Sequence, residues 1–173
     1  MGSDYLQNTL PAKGDFMLSV KPFRQKPGFC GVASLKMVLD YFCFEISEKE
    51  LIELTGATTR KGTSLEGIKK AAQRLGFDFY FKDNADFSDI KFYLDKKIPA
   101  MVDWFSTFGG YSEGHFSVAV GLDKKFIYLQ DPEIARVRKM ERADFLRVWF
   151  DFEGDYIKSK NNLILRRLII IRR

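Results

Sequence analysis

The chain has 173 residues, of which 46% are apolar and 29% charged, and a net charge of +5. That suits one domain with a sizeable core, and its varied, apolar composition excludes a disordered segment. No apolar run approaches the ~20 residues of a membrane span, the N-terminus lacks signal-peptide order, and the mild basic excess permits an acidic partner without requiring one.

Residues 1–16 are polar and aperiodic, and are read as a tail or expression-derived segment preceding a single domain over 17–173. Val32, Leu35, Val38, Leu39 and Phe42 recur at helical spacing and predict a helix over 31–42. Cys30 and Cys43, taken as lying along that one helix, would stand roughly 20 Å apart. A disulfide needs Cα atoms within about 7 Å, so both are expected to be free thiols, which favours a reducing, cytoplasmic compartment. Cys43 is expected to be packed inside the helix.

Ser47 with Glu50 is a capping-box pattern and opens a second helix that stops at Gly56. Thr63 with Glu66 opens a third, which runs through Ile68, Ala71 and Leu75 to Gly76. Phe77, Phe79 and Phe81 then alternate with polar residues as in a strand. A short helix over 88–96 and a buried strand over 99–104 follow. Residues 105–114, with Gly109, Gly110 and Gly114, read as a loop. Strands over 115–122 and 126–130 form a hairpin across Asp123-Lys124-Lys125, and a further strand over 134–139 precedes a helix over 142–149. Residues 163–171 read as a final strand. Helices first and an antiparallel sheet afterwards make an α+β domain.

Four residues in this order carry chemistry. Cys30 stands where a turn at Pro27-Gly28 meets a helix N-terminus, whose partial positive charge stabilises a thiolate. His115 is the sole histidine of the chain, and any cysteine mechanism must use it as base. Asp131 ends the strand after the one that His115 opens, so the hairpin makes the two neighbours. A carboxylate there would hold the imidazole in one tautomer, although Asp131-Pro132 is also an ordinary turn dipeptide. Gln25 precedes Cys30 by five positions, and its amide can donate to an oxyanion beside the Cys30 N–H.

The run from Gln25 through Cys30 to Tyr41, with Gly114-His115-Phe116, Asp131-Pro132 and the helix ending in Trp149, resembles the C39 peptidases of the papain-like superfamily. The resemblance covers roughly residues 20–149. It implies a papain-like cysteine peptidase fold, with an N-terminal helical lobe packed on a C-terminal antiparallel sheet. It also implies a Cys30–His115–Asp131 triad with Gln25 as oxyanion donor, and a peptide cut after a Gly-Gly pair. Phe29 stands where transporter-borne members carry Asp, and the Gln-to-Cys interval is one residue shorter than theirs. Phe105, Phe108 and Tyr111, placed beside the nucleophile by the loop over 105–114, would narrow the sites before the cut and favour Gly.

The leading expectation is therefore a cysteine-type peptidase acting on a peptide or protein, with no cofactor, no metal and no nucleic acid. The same four residues would serve an acyl transferase or a deconjugating enzyme, and a degenerate member would be a peptide-binding module. A different class of reading takes residues 47–77 as a helix-turn-helix, with Lys69, Lys70, Gln73 and Arg74 facing DNA.

Overall fold

The computed structural model describes residues 17–109 and 112–173, so the segment over 1–16 and the side chain of Tyr111 lie outside the described residues. The first helix, α1 (Cys30–Tyr41), buries Val32, Leu35, Val38 and Leu39 as its periodicity predicts, and Ala33, Ser34 and Met37 besides. A helix buried on so many sides lies between two layers. On one side are α2 (Glu48–Thr55) and α3 (Leu65–Arg74), and on the other is the sheet. The chain leaves α1 at Phe42, and Cys43 has φ 57° and is exposed. The expectation that Cys43 packs inside the helix is thus corrected: a left-handed residue just past the C-cap faces outward.

Ser47 and Glu50 form the capping box of α2 on both its hydrogen bonds, and Gly56 ends the helix in the left-handed region. For α3 the cap is Ser64, whose hydroxyl accepts from Gly67 N, one residue later than the sequence suggested. Thr63 is buried instead, against Gly31. The connection over 56–64 closes on itself through a Thr58–Gly62 bridge. It is far longer than the ~3–4-residue turn of a helix-turn-helix, which removes the geometric basis of a DNA-reading α3.

Six strands form one antiparallel sheet in the order β1-β8-β2-β3-β4-β5. They are β1 (Asp78–Lys82), β2 (Ala100–Ser106), β3 (Glu113–Leu122), β4 (Phe126–Asp131), β5 (Arg136–Glu141) and β8 (Arg167–Arg172). Helix α4 (Phe87–Asp95) is capped by Asp86 and tied to β1 by Lys82–Asp89 at 2.7 Å. Helix α5 (Arg142–Val148) drops Phe145 into an aromatic cluster with Phe87, Trp104 and Trp149. Helices on an antiparallel sheet are the expected α+β class, with the helical lobe preceding the sheet.

Two departures reshape the region beside the candidate residues. β2 and β3 pair from Ala100–Ala119 as far as Ser106–Glu113, so the ends of the expected loop over 105–114, Phe105, Ser106, Glu113 and Gly114, are strand instead. The expected single strand over 163–171 breaks at Arg166, which has φ 47°. Its first part, β7 (Leu163–Leu165), pairs with β6 (Phe150–Phe152) in a separate ribbon, and only β8 joins the main sheet. Among the described residues, no helix is long and apolar enough to cross a membrane.

Candidate active site

Cys30 is the first residue of α1 and is partly exposed. Phe29, its N-cap, offers no side-chain hydrogen bond to the first turn, so no side-chain oxygen competes for the N–H groups there. The helix reaches this place because of two glycines. Gly28 has φ 82°, and a Cβ on it would overlap the backbone of Thr59. A Cβ on Gly31 would strike Thr63 and crowd the Phe116 ring, so Gly31 is what lets the start of α1 lie against β3. One turn further on, the buried Ser34 hydroxyl donates to the carbonyl of Phe116 at 3.0 Å. The helix carrying Cys30 is thereby tied to the residue that follows His115.

On β3, His115 lies opposite Trp104 of β2, whose ring meets it edge-on at 5.4 Å. Val118 pairs with Gln130 across β3 and β4, which sets Asp131 diagonal to His115. His115 Nε2 and Asp131 Oδ1 are 2.9 Å apart, and both residues are buried. Burial opposes the charged ring, but the bond to Asp131, the nearby Cys30 sulfur and the charges of both outweigh it and hold His115 up at about 10. Asp131 is also buried, which favours its neutral form; the bond and charge of His115 and the cation of Arg138 overcome this and hold it below the ordinary carboxylate range. A carboxylate inside a protein survives only when its oxygens are paired, and those of Asp131 are. Oδ1 also accepts from Glu133 N at 2.9 Å, and Oδ2 accepts from Arg138 Nε at 2.6 Å.

Gln25 comes to the same place from the other end of the sequence. Its backbone N–H donates to Pro132 O at 2.9 Å, and Arg24 donates to the carbonyls of Glu133 and Ile134 at 2.8 and 3.2 Å. The turn after Asp131 is therefore laced to the segment that leads into Cys30. The Gln25 amide oxygen is buried without a hydrogen-bond partner among the described residues. His115, Asp131 and Glu133 present donor atoms within 4.8 Å of one another. Both carboxylates are already engaged by Arg138, so a guanidinium stands where a bound cation would have to sit.

Of the three aromatics expected beside the nucleophile, Phe105 is not there. It stacks on Phe150 at 5.2 Å and lies 5.6 Å from Phe152, on the face opposite Trp104 and His115. The pairing of β2 with β3 through Ser106 turns it away. Phe108 lies beside Trp104 at 6.2 Å and over Arg138, and Tyr111 is outside the described residues. Sequence reasoning missed Ser34 and Arg138, because a buried serine in a helix and an arginine in an edge strand carry no signal of their own.

One pH dependence follows from His115. A group whose folded pKa is raised stabilises the fold fully below its unfolded value, ~6.5, and loses that contribution as pH climbs through the folded value. The melting temperature is thus expected to fall between about pH 6.5 and pH 10, and His115→Asn to flatten that decline. An equal decline in the variant would show that the ring is not held protonated.

The sequence model of the Peptidase C39 family matches residues 23–152. The chain is 30% identical over 128 residues to the lactococcin-G-processing and transport ATP-binding protein LagD of Lactococcus lactis subsp. lactis; the match covers 73% of this chain and 17% of that relative's length. Its fold is similar to the crystal structure of the peptidase domain of Streptococcus ComA, a bi-functional ABC transporter, with a TM-score of 0.67 and 23% identity over 88% of this chain and 98% of that one. It is also similar to a double glycine motif protease from an AMS/PCAT transporter, crystallised with its leader peptide, with a TM-score of 0.64 and 21% identity over 91% and 94% of the two chains. The folds agree with the papain-like arrangement of helical lobe and antiparallel sheet, and the family match covers the segment from before Gln25 to past Asp131. The chain belongs to the Peptidase C39 family and is a cysteine-type peptidase, a hydrolase.

Proposed function

We propose that the chain hydrolyses a peptide bond with Cys30 as nucleophile, His115 as base, Asp131 as orienting acid and Gln25 as oxyanion donor. The observation that carries this reading is the buried His115 ring, bonded to Asp131 at 2.9 Å and held charged by that carboxylate and by Cys30 near it. With Asp131 ionised, Nε2 carries the proton of that bond, which leaves Nδ1 to take the proton of the Cys30 thiol. The thiolate adds to the scissile carbonyl, and the new oxyanion lies against the Cys30 N–H and the Gln25 amide. As the C–N bond breaks, the imidazolium returns its proton to the leaving amine, and a thioester remains. His115 then deprotonates the water that attacks the thioester, freeing the acid and restoring the thiol.

The substrate we propose is a peptide cut after Gly-Gly, by analogy with the double glycine motif protease and its leader peptide. A peptide panel varied at the two positions before the cut tests this, with Gly-Gly expected to be fastest. Faster cleavage after Leu, Phe or Arg would leave a peptidase of another specificity. Gln25→Ala is expected to lower kcat by about 10²–10³ with KM little changed, as for loss of one oxyanion donor. A loss confined to KM would make Gln25 a substrate-binding residue instead.

A further inference from the structure

Arg138 lies on β5, and no step of the mechanism above uses it. The β4–β5 register pairs it with Leu129, two residues before Asp131, so it shares a face with that carboxylate. Its Nε donates to Asp131 Oδ2 at 2.6 Å and its Nη2 to Glu133 Oε2 at 3.2 Å, from a side chain only 14% exposed. The guanidinium carbon sits 4.1 Å from the centre of the Phe108 ring. A Cβ on the next residue, Gly109, would run into the Glu133 carboxylate, so the hairpin tip rests on the same pair. The carboxylate is therefore gripped from both sides: His115 and the Glu133 N–H on Oδ1, Arg138 on Oδ2.

We propose that Arg138 is a positioning residue of this site, fixing the plane of the Asp131 carboxylate from the side opposite His115 and drawing off part of its charge. The proposal rests on the reading of Asp131 as the orienting acid. A carboxylate with one oxygen unheld can rotate about its Cβ–Cγ bond, and the imidazole it holds turns with it. A guanidinium held in a fork by two carboxylates and backed by an aromatic face cannot follow such a rotation, which is a use lysine cannot serve. The charge acts separately. The groups that bear on His115 are Cys30 from α1, Asp131 at the end of β4 and Glu133 just after it, with Trp104 of β2 uncharged and Arg138 acting through Asp131. A cation on the far oxygen makes Asp131 a weaker partner for the imidazolium than a lone carboxylate would be.

An ion pair that served stability alone would leave the imidazole unaffected, and this separates the two roles. Because His115 is the sole histidine, its ring resonances can be followed by NMR without ambiguity. The titration is best made in a Cys30→Ala background, which removes the thiolate that also raises the ring. There, Arg138→Gln keeps a hydrogen-bond donor but removes the charge, and the His115 midpoint is expected to rise by about one unit. An unchanged or lowered midpoint overturns the proposal. With Cys30 present, Arg138→Met is expected to lower kcat about 10–100-fold with KM unchanged, as for a misplaced catalytic group. Wild-type kcat in that variant overturns it as well. If Arg138→Gln does not fold, Arg138→Lys decides: it keeps the charge without the fork, so kcat should fall about tenfold while the midpoint stays, and full kcat would overturn the proposal. Turnover in Cys30→Ala would defeat the catalytic reading whatever the midpoint does. An unchanged midpoint beside an inactive Cys30→Ala would defeat only the role of Arg138.

Discussion

Cys30→Ala is expected to abolish turnover, by about 10⁶-fold, while the protein still folds. The loss is total because, among the described residues, the nucleophile that acts on His115 is Cys30, while the hydrogen bond of the ring goes to Asp131. The fold should survive because Cys30 sits at the start of α1, partly exposed, while the buried positions of that helix begin at Gly31. His115→Ala should cost nearly as much, since the thiol then has no acceptor for its proton. Alkylation offers a check without substrate. Cys43 is exposed, so accessibility alone will not separate the two thiols. An imidazolium beside a thiol favours the reactive thiolate, so Cys30 should be labelled ahead of Cys43. His115→Ala should remove that preference. Turnover above about one per cent in Cys30→Ala would sink the assignment of the nucleophile.

Local signals were legible in the sequence, and long-range pairing was not. The period of Val32, Leu35, Val38 and Leu39 gave α1, and Ser47 with Glu50 gave α2 to the residue, because a helix is written in neighbours three and four apart. The approach of His115 and Asp131 was legible because a short hairpin makes strand ends adjacent without any tertiary information. What failed was whatever depended on distant partners. β8 inserts between β1 and β2, and nothing local in residues 163–171 says that Arg166 must break them into strands of two sheets. The loop over 105–114 looked free because glycines were counted, but β2 and β3 pair into both of its ends and turn Phe105 to the far face. Arg138 was hidden for a similar reason. Its role depends on a register between β4 and β5, and the sequence states that only as seven intervening steps.

Asp131→Asn is expected to lower kcat by about 10³–10⁴ and to destabilise the fold, and Arg138 is the reason. An asparagine in place of an aspartate often serves a cysteine–histidine pair, because its oxygen still accepts from the imidazole. Here both ends of the group are already committed. If the amide oxygen faces His115, the NH₂ meets the Arg138 Nε–H across what is now a 2.6 Å bond, donor against donor. If the amide flips to satisfy Arg138, its NH₂ faces both the Glu133 N–H and His115 Nε2. The imidazole proton must then move to Nδ1, the atom that should receive the proton of Cys30, and the base is lost. Either orientation also takes from Arg138, only 14% exposed, the closer of its two anions and leaves Glu133 alone to balance it. Breaking one side of a buried ion pair costs about 3–5 kcal/mol, which chemical denaturation will read directly. Losing the charge and the bond of Asp131 should also bring His115 down from about 10, visible in the titration of its ring. Near-normal kcat in Asp131→Asn would mean that His115 needs no more than an acceptor at that position, and would remove the orienting role assigned to the carboxylate.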